Sequence, residues 1–235
     1  MAAPITLFDL DSKVGGPLSP WVLPIRLLLN YKRIPYKTTW VNFPDIAKVL
    51  TAAGAPPTRT GTSPYTVPAI VDGEKAISDS RKIAEYLERS YPERPVPLQG
   101  GAQESAINAF VTVLRPLVVP HVVNHLDERS TAYYIETRRI MLGKELYEID
   151  PPSQHEEAVR ALEAALTKLS DFTGETTAGW IFGKNGPVYE DFQLIGWFNW
   201  LKVAGSPGLW DHIKDLNDGK WNGLLKAAEP YTTLD

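Results

Sequence analysis

The chain has 235 residues, 43% hydrophobic and 22% charged, the balance of an ordinary globular protein and not of a disordered, collagen-like or coiled-coil one. Its net charge of −4 offers nothing to draw nucleic acid or an anionic membrane surface, and its length suits one large domain or two small ones. It has no cysteine, which excludes disulfides, thiolate metal sites, a cysteine nucleophile and dithiol redox chemistry, so any sulfur chemistry must use a ligand's thiol.

Met1-Ala2-Ala3-Pro4 runs straight into a strand-like stretch over residues 5–9, without the basic region and apolar run of a secretory leader. No apolar segment is expected to reach the ~18 residues of a spanning helix, and a cytoplasmic protein is the expectation. The loop over residues 10–19 leads into a helix that opens with Pro20-Trp21-Val22 and ends near Tyr31. Ser19 followed by Pro20 reads as an N-cap with proline at the first helical position. Pro24 falls inside that helix, where it removes an amide donor, so a late start or a kink is expected.

A strand over residues 36–41, a short helix over 44–52, a long loop over 54–64, strands over 67–71 and 75–77 and a helix over 80–90 complete the order βαβαββα. Two short motifs in this part carry chemistry. Extended Val67 beside Pro68 offers backbone groups to another strand, particularly with a cis bond, and Asp79-Ser80 at a helix start can hold an α-amino-acid end. The same residues also read as a buried strand, a turn and an ordinary N-cap; alone, the motifs do not decide between these readings.

The Pro- and Gly-rich stretch from Pro92 to Gly101 reads as a linker, and beyond it the pattern is helical almost throughout. Ile107, Phe110, Val111 and Leu114 keep helical spacing, with a bend expected near residues 115–121 at Pro116 and Pro120. Ser153 with Glu156 predicts a capping box ahead of the apolar series Val159, Leu162, Leu166, Leu169 and Phe172. Glu136, Arg138, Arg139, Lys144 and Glu145 read as a solvated helical face. His121 and His125 stand one turn apart, but no acidic partner follows at ligand spacing, so no metal is expected.

Ser19-Pro20-Trp21 with Arg26, then Asn30-Tyr31-Lys32, Pro35-Tyr36, the run Tyr65-Thr66-Val67-Pro68-Ala69-Ile70, and Ile77-Ser78-Asp79-Ser80 with Ile83, Ala84, Tyr86 and Leu87 fall in the order of a known family. With these motifs the chain resembles the cytosolic glutathione transferases over nearly its whole length. Asn30-Tyr31-Lys32, Trp40-Val41, Pro44-Asp45-Ile46 and the 54–64 loop look most like the serine-type fungal classes related to bacterial β-aryl-ether-cleaving enzymes.

The resemblance implies the glutathione transferase fold: an α/β thioredoxin-like domain over residues 1–94, a linker over 95–103, and an all-α domain over 104–235, assembled as a homodimer. It implies that glutathione is the co-substrate, lying extended along Val67 and Pro68 with its γ-glutamyl end at Asp79 and Ser80. Lys48 is the first candidate for its glycine carboxylate, with Thr66 and Arg59 behind it. Ser19 is implied as a hydrogen-bond donor to the thiolate, not as a nucleophile. Lowering a thiol pKa of ~8.5 by two units takes about 2.7 kcal/mol, within reach of a hydroxyl donor and a helix N-terminus acting together.

Trp21, Phe110, Val113, Leu114, Leu117, His121, Trp197, Phe198 and Trp200 are the candidates for an apolar and aromatic wall that receives small hydrophobic or aromatic electrophiles between the domains. Conjugation, ether cleavage and peroxide reduction all draw on the same thiolate. A ligandin that binds aromatic compounds such as plant polyphenols with little turnover, and a family member kept only as an interaction module, are the other readings. One departure from the family pattern is Val188, which stands three residues before Asp191 where a capping Ser or Thr is usual.

Overall fold

In the computed structural model, which describes residues 3–173 and 179–235, the sequence order predicted for the first half is the order observed. Met1 and Ala2, the start of the sequence reading, lie outside the described residues. Strand β1 (Ile5–Leu10) pairs in parallel with β2 (Tyr36–Val41), the two joined by a crossover through helix α1 (Leu23–Lys32). Strand β3 (Ala69–Asp72) then pairs antiparallel with β1 and with β4 (Lys75–Ser78), so the sheet runs β2-β1-β3-β4. Helix α2 (Ile46–Ala52) follows a 3₁₀ turn at Phe43–Asp45, and α3 (Ser80–Ser90) follows β4.

Helix α1 starts later than its opening sequence suggests. Pro24 occupies its second position, where the missing N–H would have had no intrahelical partner anyway, so the helix is delayed instead of kinked. The three residues ahead of it form a turn, closed by the Leu23 amide donating to the Ser19 carbonyl at 3.2 Å.

Beneath the sheet, the buried Arg26 guanidinium ties α1 to β1 and β2. It donates to Asp9 Oδ2 at 3.1 Å, Tyr36 Oη at 3.1 Å and Thr38 Oγ1 at 3.0 Å. Burial pushes the Asp9 carboxyl up to about 6, against the opposing pull of Arg26. The last residues close over this cluster, with the Thr38 amide donating to Asp235 Oδ2 at 2.6 Å.

The linker is pinned along its length. Lys32 donates to the Tyr91 carbonyl, Glu88 accepts the Val96 amide, and buried Glu190 accepts those of Gln99 and Gly100. The helical part begins at Ala102, two residues before the predicted boundary.

Helix α4 (Ala102–Val118) carries Pro116 without breaking, and only from Val119 to His125 does the chain tighten to 3₁₀, so the bend falls at the end of the predicted window. Residues 102–125 are, contrary to expectation, long and apolar enough to cross a membrane. In this fold Ile107, Phe110, Leu114, Leu117 and Val118 are instead buried in the helical core.

Helix α5 spans Glu128–Leu142. Helix α6 (Pro152–Thr173) starts at Pro152, so Ser153 lies inside its first turn and not at the cap. Proline suits that first position because it has no N–H to leave unpaired. Leu162, Leu166 and Leu169 carry its buried face, while Phe172 is exposed.

Helix α7 (Tyr189–Ala204) runs through the centre of this domain, and α8 (Leu209–Ile213) and α9 (Leu216–Ala228) pack against it. Val188 has no side-chain acceptor to cap α7. Asp191 compensates: its carboxylate accepts the amides of Ile181, Phe182, Gly183 and Val188 at 2.8–3.2 Å. Desolvation nonetheless raises its pKa.

Helices α1 and α7 join the two domains closely. A Cβ on Gly196 would lie 2.4 Å from the Pro20 carbonyl oxygen and 3.0 Å from Pro24 Cδ, so only glycine permits this approach. Phe198 packs on Phe110 and Trp221, with ring centroids 5.1 and 5.2 Å away.

Candidate functional site

The two short motifs meet because of the β3–β4 register. The last pair of the β3–β4 ladder is Ala69 opposite Ser78, so Val67-Pro68 enters the sheet at the end from which Asp79-Ser80 leaves it. The Val67-Pro68 bond is cis. Among the described residues, no hydrogen bond within the chain uses the amide or carbonyl of Val67. Asp79 adopts φ 81°, a costly conformation for a non-glycine residue, and its Oδ1 caps α3 by accepting the amides of Arg81 and Lys82 at 3.1 Å each.

A cavity of about 190 Å³ opens beside this edge, between the sheet domain and the helical domain. From the first domain Ser19, Trp21, Thr66 and Val67 line it, and Trp197 and Trp200 from α7 form part of the opposite wall. Trp21 meets Trp197 edge-on at 4.9 Å between centroids, and Trp197 meets Trp200 at 5.6 Å. Trp21 is 46% exposed, although its ring packs on one side.

Ser19 is 4% exposed, and its Oγ accepts the Trp21 amide at 3.3 Å. That bond uses an acceptor site on the hydroxyl and leaves its proton to be donated. It also polarises the O–H, because an oxygen that accepts a hydrogen bond becomes a better donor. This corrects the expectation that the α1 N-terminus acts directly: the helix begins four residues beyond Ser19, and the Leu23 amide is already engaged.

Other sequence candidates lie elsewhere. Phe110, Leu114 and Leu117 are at most 1% exposed in the helical core, where apolar periodicity serves packing between helices. Phe198 is likewise buried, and Val113 is half-buried against the same core. His121 does not line the cavity; burial lowers its pKa, with Asp150 and His155 nearby. No group of metal ligands, His121 and His125 included, forms among the described residues.

Lys48 is exposed on α2 and does not line the cavity, whereas Arg59 does. The loop bearing Arg59 is closed on itself. Its Nε donates to the Ser63 carbonyl at 2.7 Å, and the hydroxyls of Thr58 and Thr66 lie 2.8 Å apart.

Sequence reasoning missed the contribution of α5. Tyr134, Arg138 and Met141 line the cavity at spacings of four and three residues, the signature of one helical face. Arg138, read as part of a solvated face, instead lies over the Tyr134 ring at 4.1 Å and the Phe43 ring at 5.8 Å. Arg115 on α4 lines the cavity too.

A cis-proline strand edge and a buried serine at a cleft walled by an all-helical domain, with a capped helix start after the last strand, define a two-domain thioredoxin-like protein. The model of the "Glutathione S-transferase, C-terminal domain" matches residues 99–231, and that of the "Glutathione S-transferase, N-terminal domain" matches residues 18–90. The glutathione S-transferase-like protein ustS of Aspergillus flavus is 31% identical, over 96% of this chain and 90% of its own. Among solved structures, a glutathione S-transferase of Ceriporiopsis subvermispora in complex with glutathione superposes with a TM-score of 0.91 at 30% identity, over 99% of both chains. Glutathione transferase GSTFuA2 of Phanerochaete chrysosporium gives 0.85 at 32% identity over 100% of both. The chain belongs to the glutathione transferase family and is an enzyme of that type.

Proposed function

We propose that the chain binds glutathione along the Val67-Pro68 edge and activates its thiol, through a hydrogen bond from Ser19, for attack on hydrophobic or aromatic electrophiles. The buried Ser19 hydroxyl, its acceptor side occupied by the Trp21 amide, is the observation that carries this reading. The unpaired amide and carbonyl of Val67 suit the cysteinyl backbone of an extended tripeptide, and Asp79 with Ser80 suits its α-amino end. Pro68 follows Val67 directly at that edge. Arg59, with Thr66 beside it, takes the place first given to Lys48 for the glycine carboxylate, because it lines the cavity and Lys48 does not.

The thiolate forms as its proton leaves to solvent, the sulfur attacks the electrophilic carbon, and the leaving group departs with the bonding pair. Attack on an aryl ether or a hydroperoxide uses the same sulfur. The Trp21, Trp197 and Trp200 wall supports flat aromatic second substrates. Trp21's exposed face also favours, as a second reading, a ligandin that holds aromatic compounds without turnover.

A serine-type fungal class is supported by the fungal relatives, and a cytoplasmic homodimer by the family resemblance; sedimentation reads the assembly directly. The deciding experiment is Ser19→Ala: the ultraviolet absorbance of bound thiolate, followed against pH, is expected to show the thiol pKa raised by one to two units on the order of, with glutathione still retained. An unchanged pKa would overturn the role of Ser19. Dye displacement without turnover of any electrophile would favour the ligandin.

A further inference from the structure

The wall beyond Ser19 is not only apolar. Arg59 lines the cavity from the sheet domain, Arg115 and Arg138 line it from the helical domain, and among the described residues no carboxylate lines it. Among the described residues none of the three arginines forms an ion pair. Arg138 is held in place by its stacking on Tyr134, with Nη1 donating to Thr137 Oγ1 at 3.2 Å. Arg115 on α4 and Arg138 on α5 both line the cavity on its helical side, with Tyr134. A cleft lined by one sign of charge between aromatic walls focuses its field on whatever enters, and guanidinium suits a planar carboxylate or a sulfonate.

We propose that this cleft selects second substrates that carry an anionic group on an aromatic body, with Arg115 and Arg138 holding the anion while the Trp21 and Trp197 rings hold the aromatic part. The inference rests on the transferase reading and names its substrate class. Arg59 is left for glutathione's own carboxylate. Glutathione's thiol end takes part of the cavity of about 190 Å³, so the aromatic acid lies at its outer part and extends toward solvent. For 4-(chloromethyl)benzoate the reaction balances simply: the thiol loses its proton to solvent, the C–S bond forms, and chloride leaves with the C–Cl pair.

Biphenyl-4-carboxylate and biphenyl-4-carboxamide, neither of them reactive, are compared as displacers of a bound fluorescent dye. The carboxylate is expected to bind at least about tenfold more tightly, the worth of one charge-assisted contact. The preference should weaken with added salt and fall toward unity in Arg115→Gln/Arg138→Gln. Equal binding of acid and amide by the native protein, or a ratio unmoved by salt and by both substitutions, would overturn the proposal. The native salt dependence decides even if the double variant does not fold. Turnover of 4-(chloromethyl)benzamide and retention on immobilised glutathione test the transferase reading separately. A marked acid preference with no turnover of either chloromethyl compound would overturn the substrate claim and leave an anion-binding cleft.

Discussion

Gly196→Ala separates two opposed physical effects at the junction of the domains. In an isolated helix the change stabilises by about 1 kcal/mol, because alanine loses less backbone entropy than glycine. Here the new Cβ would stand 2.4 Å from the Pro20 carbonyl oxygen, against an ordinary contact of 3.4 Å or more, and 3.0 and 3.1 Å from Pro24 Cδ and Cγ. Neither partner can rotate away, since one is backbone and the other a ring, so α1 or α7 must move by roughly 1 Å, and overpacking of this kind costs about 1–3 kcal/mol. The net expectation is a loss of up to about 2 kcal/mol, read as a lower midpoint in urea at unchanged slope. Pro20 follows Ser19 directly, so the same movement shifts the hydroxyl, and a displacement near 1 Å can lower kcat/KM by as much as about 100-fold. Gly223→Ala is the control, because nothing lies within 4 Å of its Cβ position. If Gly196→Ala were as stable and as active as the native protein, the close approach of α1 and α7 would be refuted.

Val188→Thr restores a cap at nearly constant shape. Val188 is buried in the extended conformation that an N-cap adopts; its carbonyl already accepts the Asp191 amide at 3.0 Å, so a threonine hydroxyl there can accept the Glu190 amide, and a gain of about 1 kcal/mol in thermal or urea unfolding is expected; a loss would mean the hydroxyl is left unpaired. Asp9 gives the pH dependence. Its folded pKa of about 6 lies above the ordinary 3.8, so its stabilising contribution is complete below pH 3.8 and is lost as pH rises through 6. The native protein should therefore lose stability relative to Asp9→Asn across that window, by up to about 3 kcal/mol. An NMR titration placing the Asp9 carboxyl below its ordinary value would contradict this.

The sequence by itself determined the elements and their order. Alternating short runs with turn residues between them fixed βαβαββα, and Asp79 ahead of an amphipathic stretch fixed the start of α3 at Ser80. The Ser19, Val67-Pro68 and Asp79-Ser80 motifs were legible because each depends on local backbone chemistry: a turn, a strand edge, a cap. That the two motifs lie at the same end of the sheet needed only the register of one hairpin.

The tertiary structure decided which apolar helical face meets the cavity and which meets another helix. Phe110, Leu114 and Leu117 have the same periodicity as a ligand wall, yet they pack into the helical core, because periodicity reports burial and not what does the burying. The residues that complete the cleft, Arg115, Tyr134 and Arg138, come from two helices whose relative placement no local pattern encodes. Arg138 looked solvated because its neighbours in sequence are; stacking on Tyr134, one turn away on α5, and on Phe43 from the other domain sets it against the cavity. Likewise, the need for glycine at position 196 exists only because α1, delayed by Pro24, brings the Pro20 carbonyl against α7.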